Sequence, residues 1–156
     1  MISGYNFEKW KIKMYKIITI FLALFAVSSM ALGNEIIIKR QEAMQVVRNT
    51  MKTLGPMAKG GSEYDSFLAE TSLENMLEAM RPYKSYFPLG SETGNKTQAA
   101  SAIWETSDNF EKLVDNFVSD IELALSSDLE NAELFMENFE IISKNCRSCH
   151  MNYRSR

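Results

Sequence analysis

Histidine is nearly absent from this chain: among 156 residues there is one, His150. Cysteine is almost as scarce, with Cys146 and Cys149 clustered near the C-terminus and none elsewhere. A structural zinc site wants four ligands, so this donor set falls short unless carboxylates help. Two cysteines three positions apart cannot staple distant loops, which is the usual service of a disulfide. Their purpose is chemical. There is no Gly-rich phosphate loop, no cluster of catalytic carboxylates and no basic run, so an enzyme lacks a second constellation to support it. Nucleic-acid binding lacks the cations that neutralise phosphates. No repeat, low-complexity tract or strand signal stands out, and the three prolines, Pro56, Pro82 and Pro88, fall outside the most periodic segments.

Long apolar runs are limited to one. Lys9, Lys11, Lys13 and Lys16 lead into the apolar residues 17–27, followed by the small-residue stretch Ser28-Ser29-Met30-Ala31-Leu32-Gly33. That order is the order of a secretory signal peptide, and the apolar part is short against the roughly 20 residues of a membrane span. The expectation is a signal peptide over residues 1–33, cleaved after Ala31 or Gly33, with Met14 as an alternative start. If retained, the segment would be the chain's one route to a membrane. Its removal takes away four Lys and one Glu, leaving 13 basic and 19 acidic side chains and a net charge of −6 in residues 34–156. A soluble single domain with a basic partner is the inference from that balance.

Four stretches of the mature chain carry apolar residues at helical spacing. Ile37, Met44, Val47, Met51, Leu54 and Ala58 form the first stripe, ended by Gly60-Gly61. Phe67, Leu73, Met76, Leu77 and Met80 form the second, with Asp65 as N-cap and Pro82 beyond its end. The third spans residues 103–125 through Ile103, Phe110, Leu113, Phe117, Ile121 and Ala124. The fourth opens at Ser127-Asp128-Leu129-Glu130, a capping-box pattern, and runs through Phe135, Phe139, Ile142, Cys146, Cys149 and Tyr153. Four amphipathic helices predict an all-α, antiparallel four-helix bundle. The connection over residues 82–100 exceeds the about 2 to 8 residues usual in bundles, so it is expected to pack against something.

Cys146-Arg147-Ser148-Cys149-His150 is the attachment pattern for c-type haem. Each thiol can add to one vinyl group of the same porphyrin, and His150, one turn beyond Cys146, can reach the iron from the same face. A thioredoxin-like pair would need a strand-helix junction, and none is visible. With one histidine in the chain, the sixth iron position falls to methionine, another atom or nothing. Periodicity leaves Met44, Met51 and Met57 equal.

These residues resemble the class II cytochromes c, the cytochrome c-prime superfamily. The resemblance spans the mature chain, 34–156, and is carried by Arg40-Gln41-Glu42-Ala43-Met44, Leu54-Gly55, Ala58-Lys59-Gly60 and Tyr64-Asp65. Phe87-Pro88, Ala102-Ile103-Trp104, Phe110, the Cys146 to His150 motif and Tyr153-Arg154 complete it. It implies a four-helix bundle with one covalent haem c near the C-terminus, Cys146 and Cys149 as thioethers and His150 as proximal iron ligand. It singles out Met44 as the distal ligand, as in the low-spin cytochrome c-556 branch. In the high-spin branch an apolar residue stands there, and the open iron binds nitric oxide or carbon monoxide. The resemblance also places Arg40 near the haem propionates and Arg154 near the proximal histidine. It implies a periplasmic carrier that exchanges electrons with redox partner proteins and has no turnover of its own. Homodimers through the first two helices belong to the high-spin branch.

Overall fold

The computed structural model describes the backbone of residues 3–155 and the side chains of residues 14–16 and 34–155. The apolar segment 17–27 and the expected cleavage positions Ala31 and Gly33 lie outside the described side chains. Among the described residues there are five α-helices: α1 (Ser3–Ala58), α2 (Ser66–Met80), α3 (Ala102–Glu105), α4 (Ser107–Ser126) and α5 (Ala132–Tyr153). Among the described residues, no helix is long and apolar enough to cross a membrane. The bundle is built by α1, α2, α4 and α5: α1 packs on α2 and α5, α2 on α4, and α4 on α5. Short turns join α1 to α2 and α4 to α5, which makes each pair antiparallel.

The first stripe closes as its sequence suggests. Gly60 adopts φ +68°, the Gly61 N–H donates to the Pro56 carbonyl at 2.8 Å, and the Gly60 N–H to Met57 at 3.2 Å. This pair of bonds is a Schellman turn, and the left-handed residue in it suits glycine. Pro56, expected outside the periodic segment, lies inside α1. It offers no N–H to the Lys52 carbonyl, while its own carbonyl accepts the cap bond from Gly61.

Helix α2 starts where expected, with the Asp65 carboxylate accepting from the Leu68 N–H at 2.9 Å. Leu73, Met76, Leu77 and Met80 are buried, but Phe67 is 75% exposed. Phe67 precedes Leu73 by six residues, which turns it about 120° around the helix from the inner stripe. Buried Ala69 and Ser72 hold the inner positions instead.

Two other boundaries differ from expectation. The third stretch breaks at Thr106 (φ −132°, ψ 50°), whose hydroxyl donates to the Ala102 carbonyl at 2.8 Å and meets the Tyr153 hydroxyl at 3.1 Å. A side chain competing for backbone partners ends α3 there. No capping box forms at Ser127 and Glu130. Ser127 closes α4 by donating to Ala124, while the Glu130 carboxylate accepts from Ser66. The N-cap of α5 is Asn131, which accepts from the Glu133 and Leu134 N–H groups. From there Phe135, Phe139, Ile142 and Tyr153 are buried along one seam, with Cys146 and Cys149 half-buried.

The long connection is a strap across one end of the bundle. It makes a 3-10 turn at Tyr83–Tyr86. Its carbonyls at Ser91 and Asn95 accept from Arg40 and Gln41 of α1, and it pairs with the C-terminal tail through a single antiparallel bridge, Ala99 to Arg154. Flanking bonds run from the Ala100 N–H to Tyr153 and from the Ser155 N–H to Gln98.

Candidate haem-binding site

The last turns of α5 set Cys146, Cys149 and His150 at helical spacing, so the three side chains share a face. That face lines a cavity of about 480 Å³ between α1, α4, α5 and the strap, a size ordinary for a cofactor site. Burial pushes the Cys149 thiol up to about 11, with Cys146 beside it acting the same way. Burial also raises Cys146. Two thiols held protonated at neutral pH are poor thiolate nucleophiles, which argues against a thioredoxin-like pair. Loss of solvent, and secondarily the charge of Arg154, hold His150 below the ordinary imidazole range. This favours the neutral ring that a metal needs.

Helix α1 offers Arg40, Met44, Val47 and Met51 to the same cavity at 4-3-4 spacing. Met80 of α2 joins them. Met57, equal to the others by periodicity, lies away from it, beside Ser62 to Leu68 where α1 turns into α2. The stripe simply continues past the end of the cavity.

Arg40 is 4% exposed. Its guanidinium lies 4.7 Å from the centre of the Phe87 ring and 5.6 Å from that of Trp104, a cation–π arrangement contributing about 0.5–2 kcal/mol. Nη2 donates to the Ser91 carbonyl, while Nε and Nη1 are buried without a partner. Trp104 is itself anchored, its Nε1 donating to the Phe87 carbonyl at 3.0 Å. Arg154 donates through Nε and Nη2 to the Gln98 side-chain oxygen at 3.1 and 2.8 Å and also lines the cavity.

A sequence profile described as Cytochrome C' matches residues 35–154. The chain belongs to the cytochrome c' family. A cytochrome c-556 of Agrobacterium tumefaciens (strain II Chrys) is 28% identical over 116 residues, covering 74% of this chain and 93% of the relative. A cytochrome c' of Rhodopseudomonas palustris is 25% identical over 122 residues, covering 78% and 83%. Among solved structures, the nitric oxide complex of a point mutant of cytochrome c prime from Alcaligenes xylosoxidans superposes with a TM-score of 0.72 at 21% identity, covering 80% of this chain and 97% of that one.

The cytochrome is therefore a monohaem c-type protein whose cofactor is one covalent haem c with its iron. Arg40 shows that the cavity fits that group. A buried cation with two unpartnered donors costs several kcal/mol unless an anion answers it, and haem carries carboxylates at its edge. Tyr83 lies close enough to Arg40 and Cys149 to feel both, and burial, the larger effect, holds its phenol well above the ordinary value, so it stays a neutral donor. Sequence does not single out Met80, Tyr83 or the Ser91 carbonyl as site groups. Met80 sits on an ordinary core stripe, and the other two belong to the strap, where no periodicity guides the reading.

Proposed function

We propose that this cytochrome is a periplasmic electron carrier, with haem attached through Cys146 and Cys149 and the iron ligated by His150 and Met44. The observation that carries the reading is the shared cavity: His150 from α5 and a thioether from α1 line the same space. When bound, haem c supplies a one-electron iron couple, which a thioether axial ligand biases towards the ferrous state. The chain's own residues hold and shield it. Cys146 and Cys149 fix its orientation, Arg40 offers its free Nε and Nη1 to the propionates, and Arg154, tied to Gln98, sits beside His150. Phe87, Phe110 and Tyr153 stack edge-on to one another, centroids 4.7 and 5.3 Å apart, and exclude water from one wall. With two protein ligands, neither of which need leave the iron when one electron is exchanged, the site suits electron exchange. The lysine-led apolar segment at the N-terminus supports export.

A second reading leaves the distal position open to nitric oxide or carbon monoxide, with Met44 only packing in the cavity. The nitric oxide complex of the Alcaligenes relative favours it. Expression with haem-maturation machinery separates the two. The carrier reading expects a haem stain that survives denaturation and a low-spin ferric spectrum with a methionine-to-iron charge-transfer band. A high-spin ferric spectrum that responds to carbon monoxide on reduction would favour the second, and a stain lost on denaturation would remove both.

A further inference from the structure

The net charge of residues 34–156 is −6, yet the cavity wall carries Arg40, Arg48, Lys96 and Arg154 and no carboxylate at all. Four of the 13 cations and none of the 19 acids are there, so the rest of the domain holds nine cations against all nineteen acids. Arg40 is buried, whereas Arg48, Lys96 and Arg154 are exposed around the mouth. None of these three takes part in an ion pair among the described residues, and Arg154 meets only the neutral Gln98 amide. The ion pairs lie elsewhere: Lys39–Glu35, Arg81–Glu122, Lys84–Asp115 and Lys144–Glu140. Helix α5 shows the gradient within one element. Glu133, Glu137 and Glu140 occupy its first part, and Lys144 and Arg147 its last, with Arg154 just beyond.

Distance decides which charge an approaching molecule feels. The 22 residues of α5 span about 33 Å, whereas exposed charges are screened beyond about 8 Å at physiological ionic strength. A molecule at the mouth therefore meets the cationic rim, and Glu133 and Glu137 in the first part of α5 lie about three to four screening lengths from Arg154. The acids that stand closer are Asp120, which accepts from Asn145 of the cavity wall at 2.7 Å, and Glu92, within electrostatic reach of Arg40. Two propionates set against Arg40 leave one negative charge, against three exposed cations.

We propose that this rim docks an acidic redox partner protein, a carboxylate-rich face meeting Arg48, Lys96 and Arg154. The inference rests on the electron-carrier reading and reverses the basic partner that net charge alone suggests. Complementary charge of this kind acts chiefly on the association rate.

The test is the salt dependence of electron transfer from the reduced holoprotein, followed by stopped flow. With ferricyanide, an anionic oxidant, the rate is expected to fall several-fold between about 10 mM and about 300 mM salt. With tris(phenanthroline)cobalt(III), a cation, it is expected to rise. Arg48→Glu/Lys96→Glu should abolish or reverse the ferricyanide trend with an unchanged haem spectrum, and should abolish low-salt retention on immobilised poly-L-glutamate. A ferricyanide rate that rises with salt in the unaltered protein overturns the proposal, because net charge then governs approach. Binding to phosphatidylglycerol vesicles without retention on poly-L-glutamate overturns the protein partner in favour of a lipid surface. A high-spin spectrum strikes the ligation instead, and the salt trend still decides whether the rim governs approach.

Discussion

The two ends of the bundle are built on different terms. At the end where α1 turns into α2, Tyr64 and Phe135 have ring centroids 4.9 Å apart, and Phe135 and Phe139 5.8 Å. The Tyr64 hydroxyl donates to the Leu129 carbonyl there. Polar groups find protein partners and side chains fill the interior, so this end is complete in itself. At the other end the helices stand around a cavity, two thiols and an imidazole face it, and a buried guanidinium keeps two donors unanswered. The contrast teaches that stability and function are divided along the bundle axis: one end packs by itself and the other requires a cofactor.

The largest way to break this contrast is to prevent attachment. Cys146→Ser/Cys149→Ser should yield a haem-free chain less stable by more than about 4 kcal/mol, the linkage expected of a ligand at about a thousand times its dissociation constant. The loss is to be read by thermal unfolding, with amide exchange fastest in residues of the cavity end. Next, Phe135→Ala should cost about 3–5 kcal/mol in denaturant unfolding while leaving the haem spectrum intact, because it empties the closed end only. Arg40→Met should cost about 2–3 kcal/mol in the holoprotein and less than about 1 kcal/mol in the haem-free chain, since there the loss of the Phe87, Trp104 and Ser91 contacts is offset by relief of a buried, unanswered charge. Equal losses in both forms would show that Phe87, Trp104 and Ser91 alone account for Arg40. The smallest effect is expected at Asp65→Ala, about 1 kcal/mol from a lost cap, with no spectral change.

The same division governs what is legible in the sequence. Stripes such as Ile37-Val47-Leu54 and Leu73-Met76-Met80 carry their own period, so four helices and the Asp65 cap follow from local pattern. Thr106, Ser127 and Glu130 are harder, because each polar side chain can serve a helix end in either direction, and each is engaged by a residue outside its own turn: Tyr153, Asn138 and Ser66 respectively. At the site, the cysteine–histidine motif is contiguous and legible. The Arg40 to Ser91 bond joins residues 51 positions apart, and nothing in the strap's sequence announces it. Met57 shows the opposite error: its period is right, but the cavity ends before it.

The central claim is that Met44 and His150 together hold the iron, and comparison of the three cavity methionines tests it most directly. Ferric and ferrous spectra of Met44→Ala, Met51→Ala and Met80→Ala holoproteins are to be recorded side by side. Only Met44→Ala is expected to convert a low-spin iron to high-spin, lose the thioether charge-transfer band and bind carbon monoxide when reduced. An unchanged spectrum in Met44→Ala, or the same conversion in Met51→Ala or Met80→Ala, would contradict the assignment.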